Sequence, residues 1–216
     1  MYQTILFDFD GTVFDTVEGI TKSVRFALRR QGRDAEPSSL KRFAGPPLQY
    51  SFMEYIGLSE EETARAVADF RERYVPIGVY ESRPFPGIGE LLDALRAAGK
   101  TLGIATSKPQ PLAEELLERS DLREKFDVVR GSDPTVVDNE KWEVLSWAMA
   151  DCGAEPETTV LVGDTRFDAE GARRCGIPCI GVRWGYAAEG ELRAAGVNVI
   201  AEDMEELKMI LLAEDV

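Results

Sequence analysis

The stretch ILFDFDGTVFD, residues 5–15, decides how the rest of the chain is read. An apolar run leads into Asp8, a second acid follows at Asp10, then Gly11 and Thr12, and Asp15 closes the stretch. Ionised carboxylates this close to a buried strand repel one another and resist desolvation, so they destabilise the fold unless a cation offsets them. In an extended chain Asp8 and Asp10 leave on the same face. Gly11 permits a turn in which backbone amides approach an anion, and Thr12 adds a hydroxyl. A strand ending in an ordinary Asp-Gly turn explains Asp10 and Gly11, but not an acid within the apolar run itself.

The 216-residue chain is long enough for one large domain, or for a core domain carrying a smaller insertion. With 44% hydrophobic and 30% charged residues, it is expected to pack as a globular protein. No apolar segment approaches bilayer-spanning length, and Met1 leads directly into YQTILFDFD without a basic region or cleavage site. The expectation is a soluble cytoplasmic protein. A formal net charge of −14 disfavours nucleic acid or an anionic membrane as partner. Small phosphate esters stay open, because a metal and local cations can reverse the field within one pocket. The three cysteines, Cys152, Cys175 and Cys179, form no CxxC pair and are read as free thiols. With no histidine in the chain, Ser-His and Cys-His catalysis and His-ligated metals are excluded. Any catalysis falls to carboxylates, hydroxyls, lysines and a hard, oxygen-bound metal.

Apolar runs of strand length occur at Thr4–Phe9, Thr101–Ala105, Phe126–Val129, Thr159–Val162, Pro178–Val182 and Val197–Ile200. Helical patterns occupy Ile88–Ala98, Pro111–Arg119, Glu140–Asp151, Asp168–Cys175 and Met204–Leu212. Continuous apolar strands alternating with helices predict an α/β fold, a doubly wound parallel sheet covered on both faces. From Asp15 to about Ser82 the rhythm breaks. Three helical apolar series run through Val17–Leu28, Leu48–Ile56 and Val67–Tyr74, with no convincing strand among them. A helical insertion over residues 15–82 is expected, with residues 1–14 and 83–216 forming the core and Ser82–Gly87 serving as a hinge.

Ligands of open parallel sheets sit at the carboxyl ends of the strands. Three strands deliver acids or hydroxyls there: Asp8 and Asp10 from the first, Thr106 and Ser107 from GIATSKP, and Asp164 from VLVGDTRFD, with Asp168 one helical turn on. Helix capping would also account for Asp164, Asp168, Thr106 and Ser107 taken singly. Taken together, four converging acids call for a hard divalent cation, and carboxylates with retained waters suit Mg²⁺. Hydroxyls and amides at a helix start make a phosphate-type anion site. Lys141 and Lys108 are each placed to neutralise an anion on the side away from the metal.

In this order, DFDGTVFD, ATS, a lysine ahead of a helix and VGDTRFD resemble the four motifs of the haloacid dehalogenase-like phosphohydrolases. The resemblance spans essentially the whole chain, and the helical insertion is similar to the family's cap domain. FAGPPLQYSF, FPGI, ATSKP and GVRWGY further resemble the phosphoglycolate phosphatase and 5′-nucleotidase-like branch. The resemblance implies a Rossmann-like core and an Mg²⁺-dependent phosphatase acting on a small phosphorylated metabolite. Asp8 would be the nucleophile that forms an aspartyl-phosphate, and Asp10 the acid–base, holding its proton at neutral pH. Asp8, the backbone carbonyl of Asp10 and Asp164 would hold the metal, with Asp168 beside it. Gly11, Thr106, Ser107 and Lys141 would bind the phosphoryl group. No proline follows Lys141, where relatives often carry a Lys-Pro pair, and Lys141 is preferred to Lys108 as the phosphate cation. Phosphoglycolate and nucleoside monophosphates are the implied substrates, with a β-phosphoglucomutase-like sugar phosphomutase sharing the same core. A receiver-like phospho-aspartate switch is the non-enzymatic alternative, disfavoured by the length of the chain and by the inserted helices.

Overall fold

Thr4–Phe7 is buried at every position and forms β1, the inner strand of a parallel sheet, in a computed structural model that describes residues 1–133 and 140–213. The other strands of this sheet are β4 (Thr101–Pro109), β5 (Val128–Ser132), β6 (Thr159–Gly163), β7 (Cys179–Val182) and β8 (Val199–Ala201). Their order is β5-β4-β1-β6-β7-β8, and every neighbouring pair runs parallel. The period-2 alternation of a strand sorts the apolar residues between the two faces. Ile5, Phe7, Leu102, Ile104, Val160 and Val162 join one core, which takes in α4 (Ile88–Ala97), α5 (Gln110–Arg119) and α9 (Met204–Leu212). Leu6, Ala105 and Leu161 point the other way, into α6 (Lys141–Cys152) and α7 (Arg166–Arg174). The sheet is therefore covered on both faces, as strands without polar alternation require.

Two short strands, β2 (Phe14–Asp15) and β3 (Arg83–Pro84), form an antiparallel ribbon where the chain leaves and rejoins the sheet. The sequence pattern does not reveal this ribbon, because two residues per strand are too few for alternation to register. β2 straddles the first expected boundary of the insertion and β3 begins at the second, and Phe9 stacks on Phe14 beneath the ribbon with ring centroids 4.5 Å apart. Between its strands lie α1 (Val17–Arg30), α2 (Leu48–Ile56) and α3 (Glu60–Tyr74), with a 3-10 turn at Pro37–Phe43. Each expected helical series is a helix, and Val24, Ala27, Leu28, Phe52, Ala66 and Phe70 form its buried face. A short helix, α8 (Glu191–Ala194), follows β7.

Two strand ends differ from expectation in a way that shapes the site. β1 stops at Phe7 instead of Phe9, because the carbonyl of Phe9 accepts the amides of Val13 and Phe14 and turns the chain through Asp10. β4 continues past Ala105 to Pro109 with a register shift against β5, which carries Lys108 deep into the sheet edge. None of the described helices is long and apolar enough to cross a membrane.

Candidate active site

The strand order reverses around β1, whose neighbours β4 and β6 lead away in opposite directions, and a crevice opens at such a switch point. Asp8 and Asp164 follow the last residues of β1 and β6, Thr106 sits in β4 just past Ala105 where the pairing with β5 shifts, and all three are buried, with relative exposures of 4%, 0% and 1%. Lys141 is the first residue of α6, and its ammonium lies 2.6 Å from Asp8 Oδ1 and 2.8 Å from Asp168 Oδ1. Residues 134–139 of the expected third-motif region lie outside the described residues.

Asp164 and Asp168 divide the alternatives left open by the sequence. Asp168 does engage the start of α7: its Oδ2 accepts from the amide and hydroxyl of Thr165 at 3.0 and 2.8 Å. That arrangement frees Asp164 from capping. Its carboxylate instead accepts the Tyr186 amide at 2.8 Å and the Thr12 hydroxyl at 3.3 Å. Thr106 and Ser107 do not cap α5 either, since the cap position is Pro109 and no side chain bonds there. The Thr106 hydroxyl oxygen accepts the Lys108 amide at 3.1 Å, leaving its proton free for a ligand. Ser107 is half-buried on the same strand.

One carboxylate oxygen from each of Asp8, Asp164 and Asp168 lies within 4.8 Å of the others. Three hard oxygen donors at this spacing fit a divalent cation such as Mg²⁺. The charge balance points the same way, because Lys141 is one cation against three acids. Burial, followed by repulsion from Asp168 and Asp8, holds the Asp164 carboxyl well above the ordinary carboxylate range. Burial also pushes Asp8 up to about 7, Lys141 opposing and Asp168 and Asp10 adding to the rise. Burial alone would lower Lys141, but Asp168 and Asp8 hold its pKa above the ordinary value, so it stays charged. A second cation held by the cluster would relieve the remaining excess of negative charge.

The Asp10 carboxylate lies outside this trio, because the turn after Phe9 sends it toward Lys108. Asp10 Oδ1 and Lys108 Nζ form a buried ion pair at 3.0 Å that lacks the directionality of a hydrogen bond. Lys108 donates to Tyr74 Oη at 2.6 Å, and its ammonium sits over the rings of Phe9 and Tyr74. The two lysines weighed in the sequence therefore serve different acids: Lys141 stands on Asp8 and Asp168, Lys108 on Asp10. Gly11 has φ +86° and sits where an added Cβ would fall 2.2 Å from Asp164 Oδ2, so only glycine lets this turn pass the carboxylate. Gly185 closes the other side, its notional Cβ 2.1 Å from Asp164 Cβ. Sequence reasoning missed Gly185, Tyr186 and Tyr74. For Gly185 and Tyr186 the available signal was GVRWGY, which begins with the last two residues of β7 and runs off the same sheet edge as Asp164.

A model of haloacid dehalogenase-like hydrolases matches residues 5–182. A 5′-nucleotidase of Pseudomonas aeruginosa is 41% identical over 97% of this chain and 96% of its own length. The tyrosine-protein kinase PtkA of Mycobacterium tuberculosis is 34% identical over 97% of this chain and 72% of its own. Among solved structures, a predicted phosphatase from Clostridium acetobutylicum superposes with a TM-score of 0.94 at 36% identity, covering 98% of this chain and 99% of that one. The chain thus belongs to the haloacid dehalogenase-like hydrolases, in their phosphatase branch.

Proposed function

We propose that the protein is an Mg²⁺-dependent phosphatase that hydrolyses a small phosphate monoester through an aspartyl-phosphate on Asp8. The observation that carries this reading is the buried ion pair of Asp8 with Lys141, set beside Asp164 and Asp168 at the sheet's switch point. Phosphoryl transfer needs in-line positioning and neutralised charge more than covalent elaboration. In the first step a carboxylate oxygen of Asp8 attacks phosphorus while the bond to the leaving alkoxide breaks. Asp10 enters this step protonated, which requires giving up its ion pair with Lys108, and passes that proton to the alkoxide. In the second step Asp10 takes a proton from water, the water oxygen attacks phosphorus, and the Asp8–phosphorus bond breaks to release phosphate. Lys141 neutralises the transferring phosphoryl group, while the Thr106 hydroxyl and Ser107 position its oxygens; the Gly11 amide, expected to join them, is already given to the Phe14 carbonyl at 2.8 Å, so Gly11 serves by letting the turn pass Asp164.

Magnesium, held by Asp8, the backbone carbonyl of Asp10 and Asp164 with Asp168 beside it, would supply the charge that keeps Asp8 ionised and its attack on a phosphate dianion feasible. Residues 15–82 act as a cap over the site, which excludes water from the chemistry. Lys108 spans the two parts, joining Asp10 of the core to Tyr74 of α3. The branch implies phosphoglycolate or a nucleoside 5′-monophosphate as substrate, and the 41% identical 5′-nucleotidase favours the nucleotide. Phosphate release across a panel of both classes, with and without Mg²⁺, tests the assignment. An Asp8→Asn enzyme that hydrolysed the best substrate at the wild-type rate would overturn it.

A further inference from the structure

Helix α1, the first of the inserted helices, lacks its own N-terminal cap. Thr16 occupies the cap position, where its hydroxyl would ordinarily accept an amide of the first turn, but it makes no such bond. Its Oγ1 is instead buried with no hydrogen-bond partner. An acceptor for the Thr16 and Val17 amides comes from 170 residues along the chain, beside Asp15 Oδ1, which accepts the Val17 amide at 3.4 Å. Tyr186 Oη accepts the Thr16 amide at 2.7 Å and the Val17 amide at 3.2 Å, and donates to Asp15 Oδ1 at 3.0 Å. The phenol thus sits on the junction between the β2–β3 ribbon and the inserted helices. Burial and the neighbouring Asp15 carboxylate raise its pKa, so it remains a neutral donor and acceptor.

The same residue holds Asp164 from its other end, through its amide at 2.8 Å. Little slack separates the two contacts. Gly185 packs directly on Asp164, the Tyr186 ring lies where a Cβ on Gly11 would meet it at 2.8 Å, and Trp184 Nε1 donates to the Thr12 carbonyl at 3.2 Å. The amide and the phenol oxygen of one residue are joined by a short covalent frame wedged between the Gly11 turn and the junction.

We propose that Tyr186 is a positioning residue that couples the Asp164 carboxylate to the Asp15–Val17 junction, so that the seating of Asp164 and the attachment of α1 are set together. The functional consequence rests on the reading of Asp164 as a metal-facing carboxylate, but the coupling itself does not.

Amide hydrogen exchange followed by NMR tests the coupling in metal-free protein, comparing wild type, Tyr186→Phe, Asp164→Ala and the double variant. Loss of the phenol oxygen should speed exchange at Thr16 and Val17 about fivefold, as expected for one ordinary hydrogen bond. Asp164→Ala removes the acceptor of the Tyr186 amide and should speed the same two amides in the wild-type background, with no further effect once Tyr186 is Phe. Ala148 in α6, buried in the separate core on the other face of the sheet, serves as the control amide. Unchanged exchange at Thr16 and Val17 in Asp164→Ala, or equal acceleration in both backgrounds, would overturn the proposal. Should Asp164→Ala not fold, Asp164→Asn, which keeps the shape while weakening the acceptor, reads the same pattern at smaller amplitude. Calorimetric titration of the wild type with Mg²⁺ addresses the metal reading separately: absence of binding would remove that reading and leave the exchange result to decide the coupling.

Discussion

Substituting Asp8→Asn should stabilise the metal-free protein at alkaline pH while abolishing its activity. Asp8 is almost fully buried, and its carboxyl is pushed from the ordinary 3.8 to about 7, chiefly by burial, with Asp168 and Asp10 adding to the rise against Lys141. An acid whose pKa is raised by folding binds its proton more tightly in the native state. It therefore contributes stability that is complete below pH 3.8 and is lost as the pH climbs to about 7. The difference corresponds to about 4 kcal/mol, of which about 3 kcal/mol falls between pH 5 and 8.5. For a chain of this length 4 kcal/mol is on the order of 10 °C in melting temperature. Asparagine keeps the shape and cannot ionise, so its stability curve should be flatter by that amount. Relief of Asp164, which Asp8 also raises, acts in the same direction. Thermal denaturation of both proteins in EDTA across this pH range reads the difference directly, and contributions from remote carboxylates cancel. In saturating Mg²⁺ the order should narrow or invert, because a bound cation stabilises the ionised wild type by mass action. A difference between variant and wild type that stayed constant from pH 5 to 8.5 in EDTA would refute the account of Asp8 as a buried acid held up by uncompensated charge.

Lys141→Met removes the cation that contacts both Asp8 and Asp168, and should lower kcat for phosphate release by about 10²–10³-fold, the range for deleting one preorganised electrostatic contact. Tyr74→Phe deletes the hydroxyl bonded to Lys108 and should cost about 1–3 kcal/mol in urea denaturation, since it leaves a buried ammonium with one fewer partner. Gly185→Ala would put a methyl 2.1 Å from Asp164 Cβ, and calorimetry should show Mg²⁺ affinity reduced tenfold or more.

The sheet was legible because its strands are apolar on both faces. TILF and TVLVG carry no polar alternation, and only a doubly covered parallel strand tolerates that. The acids at the strand ends were legible because each interrupts an apolar run where a side chain would otherwise pack. What stayed hidden depends on the third dimension. A strand of two residues such as Phe14–Asp15 has no period to detect, so the ribbon left no trace. Asp8 and Asp10 share a face in an extended chain, but the turn closed onto the Phe9 carbonyl sends their carboxylates to different lysines. Tyr186 looked like any aromatic after a strand, and its contacts with Thr16, Asp15 and Asp164 are 22 residues or more away in sequence.

These long contacts explain why the acidic corner can be built at all. Three buried carboxylates facing one ammonium make a locally unfavourable arrangement, and nothing in ILFDFDGTVFD alone holds it together. The positioning groups arrive from elsewhere: Lys141 from the start of α6, the Thr165 amide and hydroxyl from α7, and the Tyr186 amide from beyond β7. Each donates a hydrogen bond or positive charge to a carboxylate, which lowers the cost of burial without neutralising the cluster. The charge left over is what a divalent cation with a phosphate ester would offset, so the corner is held ready at the expense of its own stability. A scaffold optimised for stability alone would replace these acids with apolar residues, as at Ile5, Leu6 and Phe7 before Asp8 and Val160, Leu161 and Val162 before Asp164.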